Sequence, residues 1–486
     1  MRGLVIRWCL IVTVAAALAS AAALCAAGLQ WQRAQAGSKP VEGWQGTMSI
    51  GEVGARLGPS LPWLLGMDAP RTYLLLVQNN HELRATGGFI AAVGRVTVDK
   101  GRLTDLDFVD SYQLYSDKST YPPAPRPMRE HMAIDLLVMR DANWSADFPT
   151  SAQMARALYA QETGVEVDGI FSVDLNAVKL LVGALGELQV PGADEPITGA
   201  NIEDQVIRFW EKPVGSDATI GEQVNDEWFS RRKDFVPAIA KAALERIQSG
   251  ANYGALLAAA QTAMDARSIQ GWVDNPQVQG VLSEAHWDGG LAPLDGADFL
   301  AVVDTNMGYN KVDAAIKRSL AYTVTWPEAG PEDGNADGRG LAAVTITYTH
   351  PITTPDPGCD PTPRYGTTYA DMIARCYFDY VRVYVPAGSE LVTAEGVAAD
   401  TVTSRIGERG TQEFAAFFVL PPGKQQQVTF TYRMPAGLTA ENYRLVVQRQ
   451  SGTQPLPLRL QIGASAQETQ LSEGRLDWSA TLAAGS

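Results

Sequence analysis

The chain has 486 residues, 46% of them hydrophobic, enough to bury at least two domain-sized cores. Its 39 basic and 54 acidic residues leave a formal charge of -15. That balance excludes nucleic acid as a general partner, because backbone phosphates need a net basic surface, and leaves a polyanion as partner only where arginines are gathered locally.

Arg2 and Arg7 precede an uncharged run from Cys9 to Leu29. This run is long enough to cross a bilayer as a helix, and the leading arginines hold the N-terminus inside. Residues 1–35 therefore read as a single-pass transmembrane anchor at the cell membrane, with everything after it extracytoplasmic. A cleaved signal peptide is the alternative, since Ala19-Ser20-Ala21 offers small residues to a peptidase. Residues 36–61, rich in Ala, Gly, Ser and Gln, read as a stalk.

The apolar run Tyr73 to Val77 is a buried strand that delivers Gln78, Asn79, Asn80, Arg84 and the pair Gly87-Gly88 to one place. Two further strands, Phe89 to Val98 and Leu103 to Val109, return toward the same edge and end in Asp110. An arginine, amides, a glycine pair and a carboxylate at one sheet edge are the ingredients of an anion site. The amides either bind a ligand or satisfy the strand end. Gly87 and Gly88 either admit a phosphate or only make the turn.

Asn143, Trp144 and Asp147 form a loop that suits a sugar platform or an Asp-Phe-Pro turn before a helix. That helix is predicted from Thr150 as cap to Gly164 as stop. A strand over Gly169 to Val173 follows, then a helix capped by Asp174 with Val178, Leu181, Val182 and Leu185 on one face, ended by Gly186. Helices are also expected from Asp234, with Pro237 in the first turn and Val236, Ala240, Leu244 and Ile247 inward, from Tyr253 to Arg267, and from Pro276 to Ala285. Strands mixed with helices make residues 62–318 an α/β layer domain.

After Arg318 the period becomes two: Val344, Ile346 and Tyr348 alternate with threonines, and Val428, Phe430 and Tyr432 do the same. Residues 319–486 are expected to form an all-β sandwich. Cys359 and Cys376, the cysteines outside the anchor, suit a disulfide in an oxidising compartment. Asp333, Asn335 and Asp337 have the spacing that opens a Ca²⁺ loop, but Val344 stands at the twelfth position, so a polar hairpin tip competes with that reading.

The runs Gln78 to Ile90, Arg140 to Pro149 and Val167 to Asp174 resemble a bacterial membrane-anchored domain family of unknown function. More distantly, Arg84 before a strand, Asp110 after the next, and a late Arg231-Arg232-Lys233-Asp234 are similar to the LytR-CpsA-Psr phosphotransferases. That resemblance implies a mixed sheet with helices and transfer of a glycopolymer from a polyprenyl pyrophosphate to a wall hydroxyl. It implies Arg84, Asp110, Arg231, Arg232 and Asp234 as catalytic, and Mg²⁺ or Mn²⁺ held with Asp110 and Asp147 as the candidate ligands. The sequence departs from that pattern in having Ala85, Thr86, Gly87 and Gly88 after Arg84, and Val236 to Ala240 where an arginine-glutamine pair is expected. A non-catalytic surface protein that binds glycan or acts as a scaffold is the other reading. The expected partners are the membrane and an envelope glycopolymer or lipid-linked glycan.

Overall fold

A computed structural model describes residues 50–221, 225–326, 338–354 and 358–479. The anchor segment, residues 36–49 of the stalk and the Asp333, Asn335, Asp337 loop with its Ca²⁺ reading lie outside the described residues. Residues 50–61, expected as the rest of the stalk, are instead largely helical and bury Val53 and Leu57 in the core of the first half. Among the described residues no helix is long and apolar enough to cross a membrane.

The first sheet has β1 (Arg71–Asn79), β2 (Phe89–Asp99), β3 (Arg102–Asp110), β4 (Gly169–Val173) and β5 (Ile269–Val273) in the order β3-β2-β1-β4-β5. β1 and β4 run parallel and the remaining pairs antiparallel. Around this sheet lie α1 (Ile50–Leu57), α2 (Leu61–Leu64), α3 (Arg126–Met132), α4 (Phe148–Thr163), α5 (Leu175–Leu185), α6 (Ile202–Glu211), α7 (Asp226–Arg231), α8 (Phe235–Gln248), α9 (Tyr253–Asp265) and α10 (Pro276–Glu284).

Strand alternation splits β1 between two environments. Leu74 and Leu76 are fully buried in a core with Phe148, Ala152, Ala155 and Leu158 of α4, whereas the interleaved Leu75 and Val77 are only partly covered. On the second face α1 and α10 pack around Tyr73 and Val98. α4 begins differently from expectation. Its cap is Asp147, which accepts from Thr150 N at 3.3 Å and Thr150 Oγ1 at 2.7 Å, and Pro149 fills an early position where a missing N–H costs nothing. Gly164, at φ 70°, ends the helix in the left-handed conformation.

The second half forms two six-stranded sheets that share one core. The first contains β7 (Lys317–Thr325), β8 (Leu341–Thr349), β10 (Glu390–Glu395), β13 (Gln425–Arg433), β15 (Leu456–Ile462) and β16 (Ser465–Leu471). The second contains β6 (Asp298–Val303), β9 (Tyr377–Val385), β11 (Thr403–Ile406), β12 (Gln412–Leu420), β14 (Arg444–Gln448) and β17 (Arg475–Ser479). Val344 pairs with both Tyr322 and Phe430, and all three are buried. β6 joins this assembly although it precedes Arg318, so the β half begins earlier than the change of period suggests. Cys359 and Cys376 are bonded, with Cα atoms 5.4 Å apart, and the loop they close carries α11 (Tyr369–Ile373).

Candidate functional site

Leu75 and Val77 are partly uncovered because they face a cavity of about 830 Å³, in the upper part of the range for ligand pockets. Its floor is the sheet, through Leu75, Val77, Val96, Phe108 and Phe171. Its other walls are Val178, Leu181 and Leu185 of α5, and Leu256, Leu257 and Ala260 of α9. Val236, Ala240, Ala243 and Ile247 of α8 complete them. A helix ordinarily turns such a stripe toward protein; here it lines open space.

The mouth is polar. The rings of Phe89 and Tyr112, 6.1 Å apart, are surrounded by cations. Arg84, Lys233 and Lys311 lie 5.7, 5.6 and 5.7 Å from the Phe89 ring centre. Arg140, Lys233 and Arg232 lie 4.8, 5.0 and 5.3 Å from the Tyr112 ring centre, all within cation–π range. Three carboxylates are interleaved with these five cations. Glu82 binds Arg84 at 3.3 Å and also Lys311. Asp141 lies 3.4 Å from Arg84 and 3.7 Å from Arg140. Asp110 binds Lys233 at 2.6 Å and Arg232 at 3.2 Å.

These groups differ in how far they are committed. Arg84 is only 2% exposed, and its Nη1 donates to the carbonyls of Asn306 at 2.8 Å and Leu83 at 3.2 Å. It is held fast and in turn fixes Glu82 and Asp141. Arg232 donates through Nη1 to Phe229 O, but its buried Nη2 has no hydrogen-bond partner among the described residues, a costly state that an incoming acceptor would relieve. Arg140 is the most exposed of the set, with the long contact to Asp141 as its ion pair.

Burial shapes the protonation states. Desolvation pulls the Lys233 ammonium down to about 7, against the attraction of Asp110. It also pushes Asp141 above the usual carboxylate range despite Arg84 and Arg140. For Glu82 desolvation pushes upward too, but Lys311 and Arg84 outweigh it and hold the group below its ordinary value.

The second half of the chain closes the mouth. Tyr309, Lys311, Arg364, Tyr365 and Tyr369 all line it, the last three from the disulfide-closed loop. Tyr369 Oη lies 2.9 Å from His81 Nδ1, and its N–H donates to Glu211 Oε1 at 2.6 Å. Tyr365 packs edge-on against Trp228 at 4.9 Å.

Of the residues singled out from sequence, Arg84, Asp110 and Arg232 meet at this mouth, and Gln78 and Asn79 line it. Arg231 and Asp234 do not. Arg231 donates to Val214 O at 2.7 Å and Gly215 O at 3.0 Å and pairs with Asp234 at 3.3 Å, so the turn between α7 and α8 sends it away from Arg232. Asn80 donates to Gly452 O at 3.1 Å and accepts from Leu175 N. Asn143 donates to Gln78 Oε1 at 3.1 Å and Gly88 O at 2.7 Å. Trp144 stacks on Tyr380 and lies beneath the Arg382 guanidinium. These three, with the capping Asp147, are interior packing.

Gly87 and Gly88 have φ of 129° and 153°. A Cβ on Gly88 would lie 2.3 Å from Asn79 O, and one on Gly87 would lie 2.8 Å from Ser451 Oγ. The pair serves a turn packed on protein. Sequence reading passed over Glu82, Tyr112, Arg140, Asp141, Lys233, Lys311 and Arg364. Glu82 and Lys233 had a signal in their adjacency to Arg84 and Arg232; Lys311 and Arg364 had none nearby.

The donor set does not fit a divalent metal. Asp147 is committed to Thr150 and to Arg409 at 2.8 Å, while Glu82, Asp110 and Asp141 each carry two cationic neighbours. Among the described residues no group of three or more His, Cys, Asp or Glu is placed to hold a metal.

Fold and site thus define an α/β unit enclosing a large apolar cavity beneath a cationic mouth. Residues 68–208 match the family described as protein of unknown function (DUF4012), in agreement with the resemblance carried by residues 78–90, 140–149 and 167–174. Similar solved structures include the Lin1025 protein from Listeria innocua, with 13% identity, 48% of this chain and 85% of that chain covered, and a TM-score of 0.26. The transcriptional regulator yvhJ from Bacillus subtilis has 11% identity, coverage of 45% and 77%, and a TM-score of 0.26. A LytR-Csp2A-Psr enzyme from Actinomyces oris has 13% identity, coverage of 44% and 75%, and a TM-score of 0.29. No curated protein matches the chain.

Proposed function

We propose that this is a membrane-anchored, outward-facing envelope protein that takes up a long-tailed lipid with a phosphorylated, glycopolymer-bearing head and transfers the polymer to a wall hydroxyl. One observation carries the reading: an apolar cavity opening on a cluster of cations that includes a buried guanidinium nitrogen, Arg232 Nη2, with no hydrogen bond among the described residues. Amphiphiles of the polyprenyl pyrophosphate class have the matching division between tail and head. The Cys9 to Leu29 run and the Cys359–Cys376 disulfide support the location.

In this reading an acceptor hydroxyl attacks the polymer-bearing phosphorus, the bond to the prenyl phosphate oxygen breaks, and prenyl phosphate leaves with the electron pair. Phosphoryl transfer needs mainly positioning and cations around the phosphate oxygens, which Arg232, Arg140, Lys233 and Lys311 supply. The Asp110–Lys233 pair is the proton acceptor. The test incubates the full chain with lipid-linked polymer and wall acceptor and follows prenyl phosphate release. Wild type should release it, and Asp110→Asn and Arg232→Ala should not; release unchanged in both variants would remove these residues from the chemistry.

A second reading has its own support. Each mouth carboxylate is already ion-paired, which leaves none free as a strong base and favours a protein that binds the lipid-linked glycan without turnover. Saturable binding with no release of prenyl phosphate is its signature.

A further inference from the structure

We propose that the phosphorylated head is neutralised by the protein's own cations, in the place where related chemistry would use a divalent metal. The inference rests on the lipid-binding reading above and concerns how that head is held. The resemblance noted from sequence implies Mg²⁺ or Mn²⁺ among aspartates. The mouth instead has Lys311 on Glu82, Lys233 and Arg232 on Asp110, and Arg140 beside Asp141.

Each position at which a carboxylate would take a metal is filled by an ammonium or a guanidinium. The Lys311 and Lys233 nitrogens lie 5.7 and 5.6 Å from the same Phe89 ring, so both lysines border one aromatic ring at the mouth. Arg84, Arg140, Arg232 and Lys311 alone outnumber the three carboxylates, and Lys233 adds to the excess whenever it is protonated, so the space is net positive before any ion enters. With Lys233 protonated, a ligand with two or more negative charges, such as a diphosphate, completes the balance; a carboxylic acid with a single charge does not. Lysine serves phosphate as a point charge and arginine as a fork, and both kinds are present here.

The geometry also gives a diagnostic variant. Lys311→Met leaves Glu82 with Arg84 alone and opens a position that a divalent ion can occupy. The probe is a long-chain prenyl diphosphate, with binding to the full-length protein measured in excess EDTA and again with millimolar Mg²⁺. Wild type should bind equally in both conditions, within about twofold, and the corresponding prenyl alcohol should bind at least tenfold more weakly. Lys311→Met should lose about tenfold or more in EDTA, the weight of one charge-assisted contact, and recover part of it with Mg²⁺. Arg140→Ala, at a partly exposed position, should weaken binding in both conditions without Mg²⁺ recovery, which keeps the test informative if Lys311→Met does not fold.

Binding by wild type that is lost in EDTA and restored by Mg²⁺ would overturn this inference while leaving the lipid-binding reading intact. Absence of binding in both conditions would overturn that reading and this inference with it.

Discussion

Lys233 makes the pH dependence of stability a direct probe of the mouth. Its ammonium is brought from an ordinary 10.5 to about 7, chiefly by burial. The unfolded chain therefore keeps this proton over an interval in which the folded protein has released it, and stability must rise with pH there. Between pH 7 and about pH 8.5 the two-state linkage relation gives a gain of about 1.7 kcal/mol from this one group; above that window the buried tyrosines, whose phenol pKa values burial raises, act with the opposite sign. Asp174, pushed up to about 7, and Asp298, pushed up to about 6, act below that interval and with the opposite sign. Arg267, lowered to about 10, acts above it. Urea unfolding at a series of pH values should show the rise in wild type and its loss in Lys233→Met, which carries no ammonium to titrate. A flat wild-type profile, or an equal rise in the variant, would refute the claim that Lys233 is buried beside Asp110 as described.

Three other outcomes follow from the geometry. Gly88→Ala places a methyl against Asn79 O at 2.3 Å on a backbone with φ of 153°, and should cost at least about 2 kcal/mol in chemical denaturation. Replacing Cys359 and Cys376 with serine releases a loop spanning 17 positions and should cost about 3 kcal/mol on the loop-entropy account; with Tyr365 and Tyr369 in that loop, tryptophan fluorescence near Trp228 should also change. Ala240→Trp fills cavity space from α8 and should abolish binding of a long-tailed prenyl diphosphate while sparing a short-chain analogue, as read by native mass spectrometry.

The sequence carried the layers of the fold because its periodicities are strong. The β8 and β13 threonine alternation, the Asp174 cap and the Gly164 stop all occur where residue chemistry alone put them. The start of α4 was shifted because Asp147 competes better than Thr150 for the cap. The site was legible in part. Arg84, Asp110 and Arg232 were found because charge at strand ends and helix junctions is conspicuous, but Arg231 and Asp234 were grouped with Arg232 when a turn separates their directions. The cavity left no trace in the pattern: Val236, Ala240 and Ile247 have the same spacing whether they face a core or a void. Lys311 and Arg364 arrive at the mouth through tertiary folding from the other half of the chain, which local reading cannot reach.

The segment that matches DUF4012 ends at residue 208, before α8 and α9, which wall the cavity, and before the tyrosine-bearing loop that covers its entrance. Excised by itself, that stretch would be an unroofed trough, with Leu75, Val77, Phe108 and Phe171 laid open to water along a greasy strip. Such a strip favours self-association over solubility. In this chain the roof comes from outside the matched stretch, so changes in α8, α9 or the disulfide-closed loop would reset the volume above an unaltered floor.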